Sequence, residues 1–278
     1  MASSRVMGRI TAGVVYTVLL LGTLVMLVPF YWTLISSVKY PAETMTIPVI
    51  WIPSKITFAH FVKAWHANFP MYYRNSIVVA VIVVIGNVFT SAMAGFLFAK
   101  YEFRFKNLLF LLVLSTMMVP FAVVLIPIYM IIAQVLHLTD TLWAMIIPSL
   151  ISPFGIFLMR QFTSTIPDDL IQAPRIDGAS DWRIFWQIIL PLCRPALSAL
   201  VIFHFIWIWN DFLWPLIVTN SDRSRTLPIG VALFAFQRWL QYNLTIAGSV
   251  LVLLPVLIFY LIFQRAFVEG IVLTGMKY

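Results

Sequence analysis

An all-α integral membrane protein with six transmembrane helices is the fold class this sequence predicts, and three observations carry the prediction. Hydrophobic residues make up 62% of the 278 residues and charged residues only 10%, whereas soluble domains carry about 25% charged residues. That much apolar surface exceeds what one core can hide, and the remainder must face lipid. Runs free of charge recur: 29 residues between Arg9 and Lys39, 25 between Arg74 and Lys100, 33 between Lys106 and Asp140, 19 between Asp140 and Arg160, and 26 between Arg238 and Arg265. Each can hold a helix of about 20 residues, which crosses roughly 30 Å of hydrocarbon. The runs are also continuous, where barrel strands alternate apolar and polar residues over about ten positions.

A sixth stretch, from Pro195 to about Thr219, is interrupted only by Asp211. The expected spans are 10–36, 76–99, 108–132, 141–159, 196–218 and 246–264. Arg5 and Arg9 precede the first run as in a secretory signal, but the length of that run reads as a retained span. An even number of spans puts both termini on one side. Cytoplasmic termini place eleven basic residues inside and seven outside, the distribution the positive-inside rule favours. The net charge of +8 comes from basic residues scattered singly between apolar runs, not from a stripe suited to nucleic acid. The organisation read from these runs is an amino-terminal span over 1–36, an external loop over 37–75, a five-helix core over 76–265 that contains an internal loop at 160–195, and a cytoplasmic tail over 266–278. The external segments 40–74 and 219–244 are rich in Trp, Tyr and Pro, which suits interfacial structure.

Pro120 and Pro127 in the third span, Pro148 and Pro153 in the fourth and Pro255 in the sixth each remove a backbone donor and are expected to kink their helices. Kinks of this kind fit a bundle around a water-filled path, and equally the ordinary enrichment of proline in membrane helices. The loop from Arg160 to Arg194 reads as two short helices joined by a turn. Thr165 can cap the first, Pro167 suits its first turn, and Asp168 and Asp169 lie where the helix dipole favours negative charge. Gly178 permits a left-handed turn. The second helix begins near Ser180 and carries Trp182, Phe185, Trp186 and Ile189 at the spacing of one apolar stripe, before Pro191 and Pro195 end it. That aromatic face must rest on lipid, on its own bundle or on another protein.

The segment QAPRIDGASDWRIFWQIILPL resembles the signature loop of permeases in binding-protein-dependent ABC importers: Glu-Ala-Ala, three residues, Gly, nine residues, Ile-x-Leu-Pro. Ala173, Gly178, Ile188, Leu190 and Pro191 fall on that pattern. RTLPIG, the WND at 209–211 and the ending FQRAFVEGIVLTGMKY are similar to the carbohydrate branch, in particular the maltose-type permease with a carboxy-terminal tail. The resemblance covers roughly residues 10–278 and implies the type I ABC importer permease architecture. It implies that the 160–195 loop docks into a cleft on a cytoplasmic ATPase through Gln172, Ala173, Asp177, Gly178, Trp182, Phe185, Ile188, Leu190 and Pro191. It further implies that Gly270, Thr274 and Gly275 reach that ATPase as a flexible insert, for which a frayed end is the plainer alternative. The partners it implies are a second permease subunit, a pair of ATPase subunits and an extracytoplasmic solute-binding protein, all in a prokaryotic cell membrane. Two departures stand out. Gln172 replaces the family's acidic residue, and Pro174, in place of the second alanine, cannot donate to the carbonyl of Leu170 and is expected to shorten or kink the first helix.

No G-x-x-x-x-G-K-S/T loop occurs, so ATP and Mg²⁺ are expected on the partner ATPase and no cofactor in this chain. Asp211, beside Asn210, is the one acidic residue inside an expected span. It lies about 15 residues into its helix, roughly 22 Å at 1.5 Å per residue, near the outer aromatic belt. A role in the translocation path and an interfacial structural hydrogen bond are both open. Asn87 and Ser91 share a helical face that suits either a path lining or helix packing. His204 has no carboxylate at i+3 or i+4 to form a proton relay. His60, His66, His137 and His204 lack metal-ligand spacing, and Cys193 is the only cysteine, which excludes an intramolecular disulfide. The expected cargo is a sugar, oligosaccharide or related polyol. A self-sufficient secondary transporter or channel would need ion-coupling groups at depth, for which Asp211 alone is thin support. An intramembrane enzyme would need paired catalytic groups that the sequence lacks.

Overall fold

Lipid offers no partner for backbone polar groups, so each apolar run satisfies its own backbone by coiling. The computed structural model describes residues 2–237 and 242–275, and the side chains of 12–235 and 242–264. Among the described residues there is no strand. The helices in order are α1 (Ala2–Ser37), α2 (Pro41–Thr44), α3 (Ala59–His66), α4 (Phe69–Lys100), α5 (Lys106–Thr116), α6 (Phe121–Met130), α7 (Trp143–Ser149) and α8 (Pro153–Ser164). They continue with α9 (Asp169–Ile176), α10 (Asp181–Ile184), α11 (Leu190–Leu192), α12 (Arg194–Trp209), α13 (Leu213–Val218), α14 (Leu227–Gln237) and α15 (Tyr242–Gly275). One π turn, Ile131–Val135, follows α6, and a second, Phe185–Ile189, joins α10 to α11.

Four stretches are long and apolar enough to cross a membrane without a sharp bend: Ala12–Ser37, Phe69–Lys100, Trp143–Ser164, which comprises α7 and α8, and Tyr242–Gln264. Two more are bent pairs, Lys106–Thr116 with Phe121–Val135 at 99° and Asp181–Leu192 with Arg194–Trp209 at 78°, which bring the count to six when each pair is one span. The first bend falls where Pro120 caps α6, because a proline biases the residue before it away from helix. Pro127 and Pro255 lie inside continuous helices. The fifth expected span is corrected. Instead of one helix over 196–218, α12 stops at Trp209, Asn210–Phe212 break the chain, and α13 restarts at Leu213. Asp211 therefore sits in the break and not inside a helix. The last helix also runs on to Gly275 without a stop at the expected tail boundary.

The chain divides into two units. One comprises Met1–Ala67 and Val231–Leu253. Here the segment after α1 closes around Lys39, whose ammonium donates to the Ile50 carbonyl and lies 4.0 Å over the Trp32 ring. Its backbone carbonyl accepts from His60 Nε2 at 3.1 Å and Asn243 Nδ2 at 3.0 Å. The expected external loop 37–75 is thus ordered by specific polar contacts and two short helices.

The other unit comprises Asn68–Gly230 and Leu254–Tyr278, with α4 at its centre. Small residues let α8 come close to α4. A Cβ on Gly95 would lie 2.5 Å from Met159 Cβ and 2.8 Å from the Arg160 nitrogen, and one on Gly155 would lie 2.2 Å from Ser91 Oγ. At the Asn68 end of α4, a polar knot ties the 219–227 segment down. Asp140 accepts from the Asn220 and Ser221 N–H groups at 2.8 and 2.9 Å and from the Ser224 hydroxyl. Asp222 accepts from Tyr72 at 2.8 Å and Arg225 at 2.7 Å, and Asn75 donates to the carbonyls of Arg223 and Arg225.

The α4–α8 contact has no slack, because the atoms facing Gly95 include backbone. Gly95→Leu should therefore lower the melting temperature of the purified protein, at a cost of roughly 1–3 kcal/mol for overpacking. Gly13→Leu, whose Cβ meets nothing within 4 Å, serves as the neutral comparison. Equal melting of the two variants would contradict the packing described.

Burial opposes ionisation of Asp140, but hydrogen bonds from Ser224, Ser221 and Asn220 outweigh it and hold the carboxyl below the usual carboxylate range. The bond from Tyr72, with Arg225 acting against partial burial, does the same for Asp222. Both carboxyls are depressed in the folded state. Their stabilisation is therefore full above the unfolded value of about 3.9 and is lost as pH falls through the folded values. Melting temperature should stay level from pH 7 to about 5 and fall below about 4, with a shallower acid limb in Asp140→Asn. An identical acid limb in that variant would remove Asp140 from the account.

Candidate functional site

The 165–193 segment forms the helical hairpin expected from its turn residues. Helix α9 ends in a Schellman motif: the Ala179 N–H donates to the Pro174 carbonyl at 2.9 Å and the Gly178 N–H to Arg175 at 3.2 Å. This geometry needs a left-handed residue, and Gly178 supplies it at φ 84, with open space for 4 Å around the point where a Cβ would stand. Pro174 is accommodated inside α9, which continues two residues beyond it to Ile176. Ser180 caps α10 by accepting from the Arg183 N–H at 3.4 Å. Thr165 does not cap α9. It closes α8 by donating to the Phe162 carbonyl, because α9 starts only at Asp169.

The aromatic stripe divides. The π turn closes with the Leu190 N–H donating to Phe185, five residues back, and this wider turn shifts the helical phase. Ile184, Phe185 and Ile189 are buried in a cluster with Ala92 and Phe96 of α4, Met159 of α8, Ile171 of α9, and Cys193, Ala196 and Leu200. Trp182 and Trp186 remain 56% and 55% exposed, with ring centroids 6.5 Å apart. Trp186 also stacks on Phe89 at 6.1 Å. The expected single face is thus two faces, one in the bundle and one outward. Gln172, Ala173, Asp177, Gly178 and Pro191 are exposed, whereas Ile188 and Leu190 are half-buried.

Two polar fastenings that sequence reasoning missed hold the hairpin to α4. Lys100, at the last position of α4, is only 6% exposed in its side chain, donates to the Ile166 carbonyl and pairs with Asp168 at 2.7 Å. Arg175 pairs with Asp181 at 2.6 Å across the turn, donates to the Tyr101 hydroxyl at 3.2 Å and lies 5.4 Å over that ring. Burial, and then the hydrogen bond with Asp181, push the Tyr101 hydroxyl up to about 12, so it stays a neutral phenol at physiological pH. No spacing rule joins Lys100 to Asp168 or Tyr101 to Arg175. Only the six-residue step from Arg175 to Asp181 around a glycine turn is visible in the sequence.

Asn87 and Ser91 are fully buried. Asn87 donates to the Ser149 carbonyl at 3.3 Å and accepts from Ser91 at 3.2 Å, beside Gly155, so their polar atoms join α4 to the α7–α8 break. Asn210 is exposed and donates to Ile206. Asp211 accepts from the backbone of Trp214 and Phe212 at the head of α13. The structure brings Asn210 and Asp211 together in one break, apart in sequence from Asn87 and Ser91. His204 Nε2 is buried without a hydrogen-bond partner among the described residues. Gly270, Thr274 and Gly275 are described only as backbone of α15, and their contacts lie outside the description. Among the described residues no group of His, Cys, Asp and Glu could hold a metal ion. The hairpin is a hydrogen-bonded, capped turn that exposes Trp182 and Trp186 and carries a buried face continuous with the bundle.

Residues 86–271 match the family described as binding-protein-dependent transport system inner membrane component. The chain is 34% identical over 253 residues to the arabinooligosaccharides transport system permease protein AraQ of Halalkalibacterium halodurans, covering 90% of each chain. It is 31% identical over 266 residues to the sn-glycerol-3-phosphate transport system permease protein UgpE of Yersinia enterocolitica, covering 92% of this chain and 94% of that one. Its fold matches a chain of a bacterial ABC transporter involved in the import of the acidic polysaccharide alginate, with a TM-score of 0.78, 24% identity and coverage of 91% and 95%.

Lys100→Met should free the start of the hairpin by leaving the Ile166 carbonyl without its charged donor. Losing a hydrogen bond to a charged group costs about 1.5–3 kcal/mol. Amides of 167–180 should therefore exchange with deuterium about ten times faster or more, while those in the middle of α4 keep their protection. Unchanged exchange at 167–180 would show that the apolar cluster alone holds the hairpin.

Proposed function

Because this chain belongs to the family of inner membrane components of binding-protein-dependent transport systems, we propose that it is the permease subunit through which an ATP-driven importer passes a sugar, an oligosaccharide or a related polyol. The hairpin carries the proposal. It offers Trp182 and Trp186 outward while Ile184, Phe185 and Ile189 lock its other face into the bundle. An exposed aromatic pair on a rigid, capped turn suits a pocket on a protein partner, and the chain has no phosphate loop of its own. ATP and Mg²⁺ are accordingly assigned to a pair of cytoplasmic ATPase subunits. A second permease subunit completes the path, an extracytoplasmic binding protein delivers cargo, and both termini face the cytoplasm. The named cargoes of the relatives, arabinooligosaccharides and sn-glycerol-3-phosphate, support a carbohydrate or polyol class.

Motion of the ATPase would enter at the exposed hairpin and pass along two routes. One is the buried cluster that runs from Phe185 through Cys193 to Leu200 of α12. The other is the pair of fastenings from Asp168 and Arg175 to Lys100 and Tyr101 at the end of α4. Both routes need the turn to be stiff, since a loose turn absorbs displacement.

Gly178→Val tests this directly. A Cβ at this position meets no neighbour, but a β-branched residue at φ 84 strains the backbone by roughly 1–3 kcal/mol. The expected result is membrane-inserted protein with weakened ATPase association and lost binding-protein-stimulated transport in reconstituted vesicles. Gly178→Asn, which tolerates the left-handed region better, should retain more of both. Trp182→Ala should weaken association to a lesser degree by removing one anchor. Normal coupled transport in Gly178→Val would refute the role given to this turn.

A further inference from the structure

At the end of the bundle that holds the hairpin, two arginines lie against aromatic rings with no acceptor among the described residues. The Arg160 guanidinium, at the close of α8, lies 3.8 Å over the Phe110 ring of α5. Phe110 is buried among Phe98, Ile156, Phe103 and Leu114, so the platform is fixed. Arg104 lies 4.8 Å over the Phe105 ring, and Phe105 holds the left-handed conformation, φ 66, immediately before α5. Among the described residues neither arginine makes an ion pair or a side-chain hydrogen bond. Lys106, one helical turn before Phe110, is already satisfied by Glu102 at 2.8 Å. An arginine cannot discharge itself by losing its proton, and a ring face beneath it leaves its N–H donors to seek an acceptor elsewhere. Both forks thus stand ready for an anion from outside this set of residues.

The neighbouring surface says which kind of anion. The first turns of α5 expose Leu108, Leu111 and Leu112, at 53%, 61% and 53%. A basic foot continuous with a leucine-lined membrane helix matches a molecule that is anionic at one end and hydrocarbon at the other. A soluble acidic peptide or a free ion would use the arginines and leave the leucines uncovered. We propose that Arg104 and Arg160 hold the phosphate of an anionic phospholipid whose acyl chains lie along α5. General attraction of basic residues to an anionic leaflet acts on every exposed cation at about the same strength. The site proposed here instead depends on two ring-backed guanidinium groups that bind a phosphate with paired donors. The proposal does not rest on the transport reading; it needs only that α5 faces lipid.

The test uses the full chain purified in detergent, with phosphatidylglycerol and phosphatidylcholine added in turn and retention read by native mass spectrometry. Wild type should retain phosphatidylglycerol over phosphatidylcholine. Arg104→Gln combined with Arg160→Gln should lower retained phosphatidylglycerol about tenfold, the scale of one lost charge-assisted pair, and leave phosphatidylcholine unchanged. Unchanged phosphatidylcholine retention and an unchanged elution profile establish that the variant is folded. Arg104→Gln alone, at an exposed position, should give a smaller loss and serves if the double variant does not fold. Arg223→Gln, at the far end of α4, should change nothing. Equal retention of the two lipids by wild type, or undiminished phosphatidylglycerol in the double variant, would overturn the site. Displacement of the lipid by inorganic phosphate alone would overturn its identity as a lipid site.

Discussion

The close approach of α4 and α8 is the constraint on which the rest of this architecture depends. In lipid, apolar side chains gain little by leaving hydrocarbon for one another, so helices associate through close packing and a few polar contacts. Glycines at 95 and 155 remove the side chains that would hold the two backbones apart, and Met159 and Ser91 occupy the space released. Met159 then joins Ala92 and Phe96 in the cluster that receives Ile184, Phe185 and Ile189. The seating of the hairpin is thus set by a helix pair inside the membrane region.

Different forces secure the two sides of the hairpin. Burial of Ile184, Phe185 and Ile189 is non-directional and of order 1.5–3 kcal/mol per side chain. It resists separation but permits sliding. The Arg175–Asp181 pair is exposed on both partners, and such a pair contributes about 0–1 kcal/mol. Its value is geometric, since together with Tyr101 it fixes rotation about the turn. Lys100 combines both qualities: its charge is nearly buried and its partners include a backbone carbonyl, so it resists displacement in a defined direction.

Much of this is legible in the residues, and the exceptions share a physical character. Glycine at 178, serine at 180 and the uncharged runs report local backbone requirements, which is why the left-handed turn, the cap and the apolar segments fall where the sequence places them. Thr165 misleads because a threonine can close one helix as readily as it opens the next. The π turn carries no compositional mark, and it shifts Ile189 toward the side of Phe185 and away from that of Trp182 and Trp186. The end of α12 at Trp209 is hidden because apolar residues on both sides of Asn210–Phe212 read as one run. Lys100, Tyr101 and Asp168 are invisible for another reason: their pairing is a property of the tertiary fold.

The wide turn at Phe185–Ile189 also bears on how such a subunit can change over time. A regular helix carrying these aromatics would put its anchoring and outward-facing residues on a single stripe, so any substitution for the benefit of a neighbour would disturb the interior. With the two faces separated, Ile184 and Ile189 answer to the chain's own packing, while Trp182 and Trp186 are half outward and touch the interior through the Phe185 ring at 5.8 and 5.6 Å. The two faces of this short helix thus meet at one ring, Phe185, through which a change on the outward side reaches the interior.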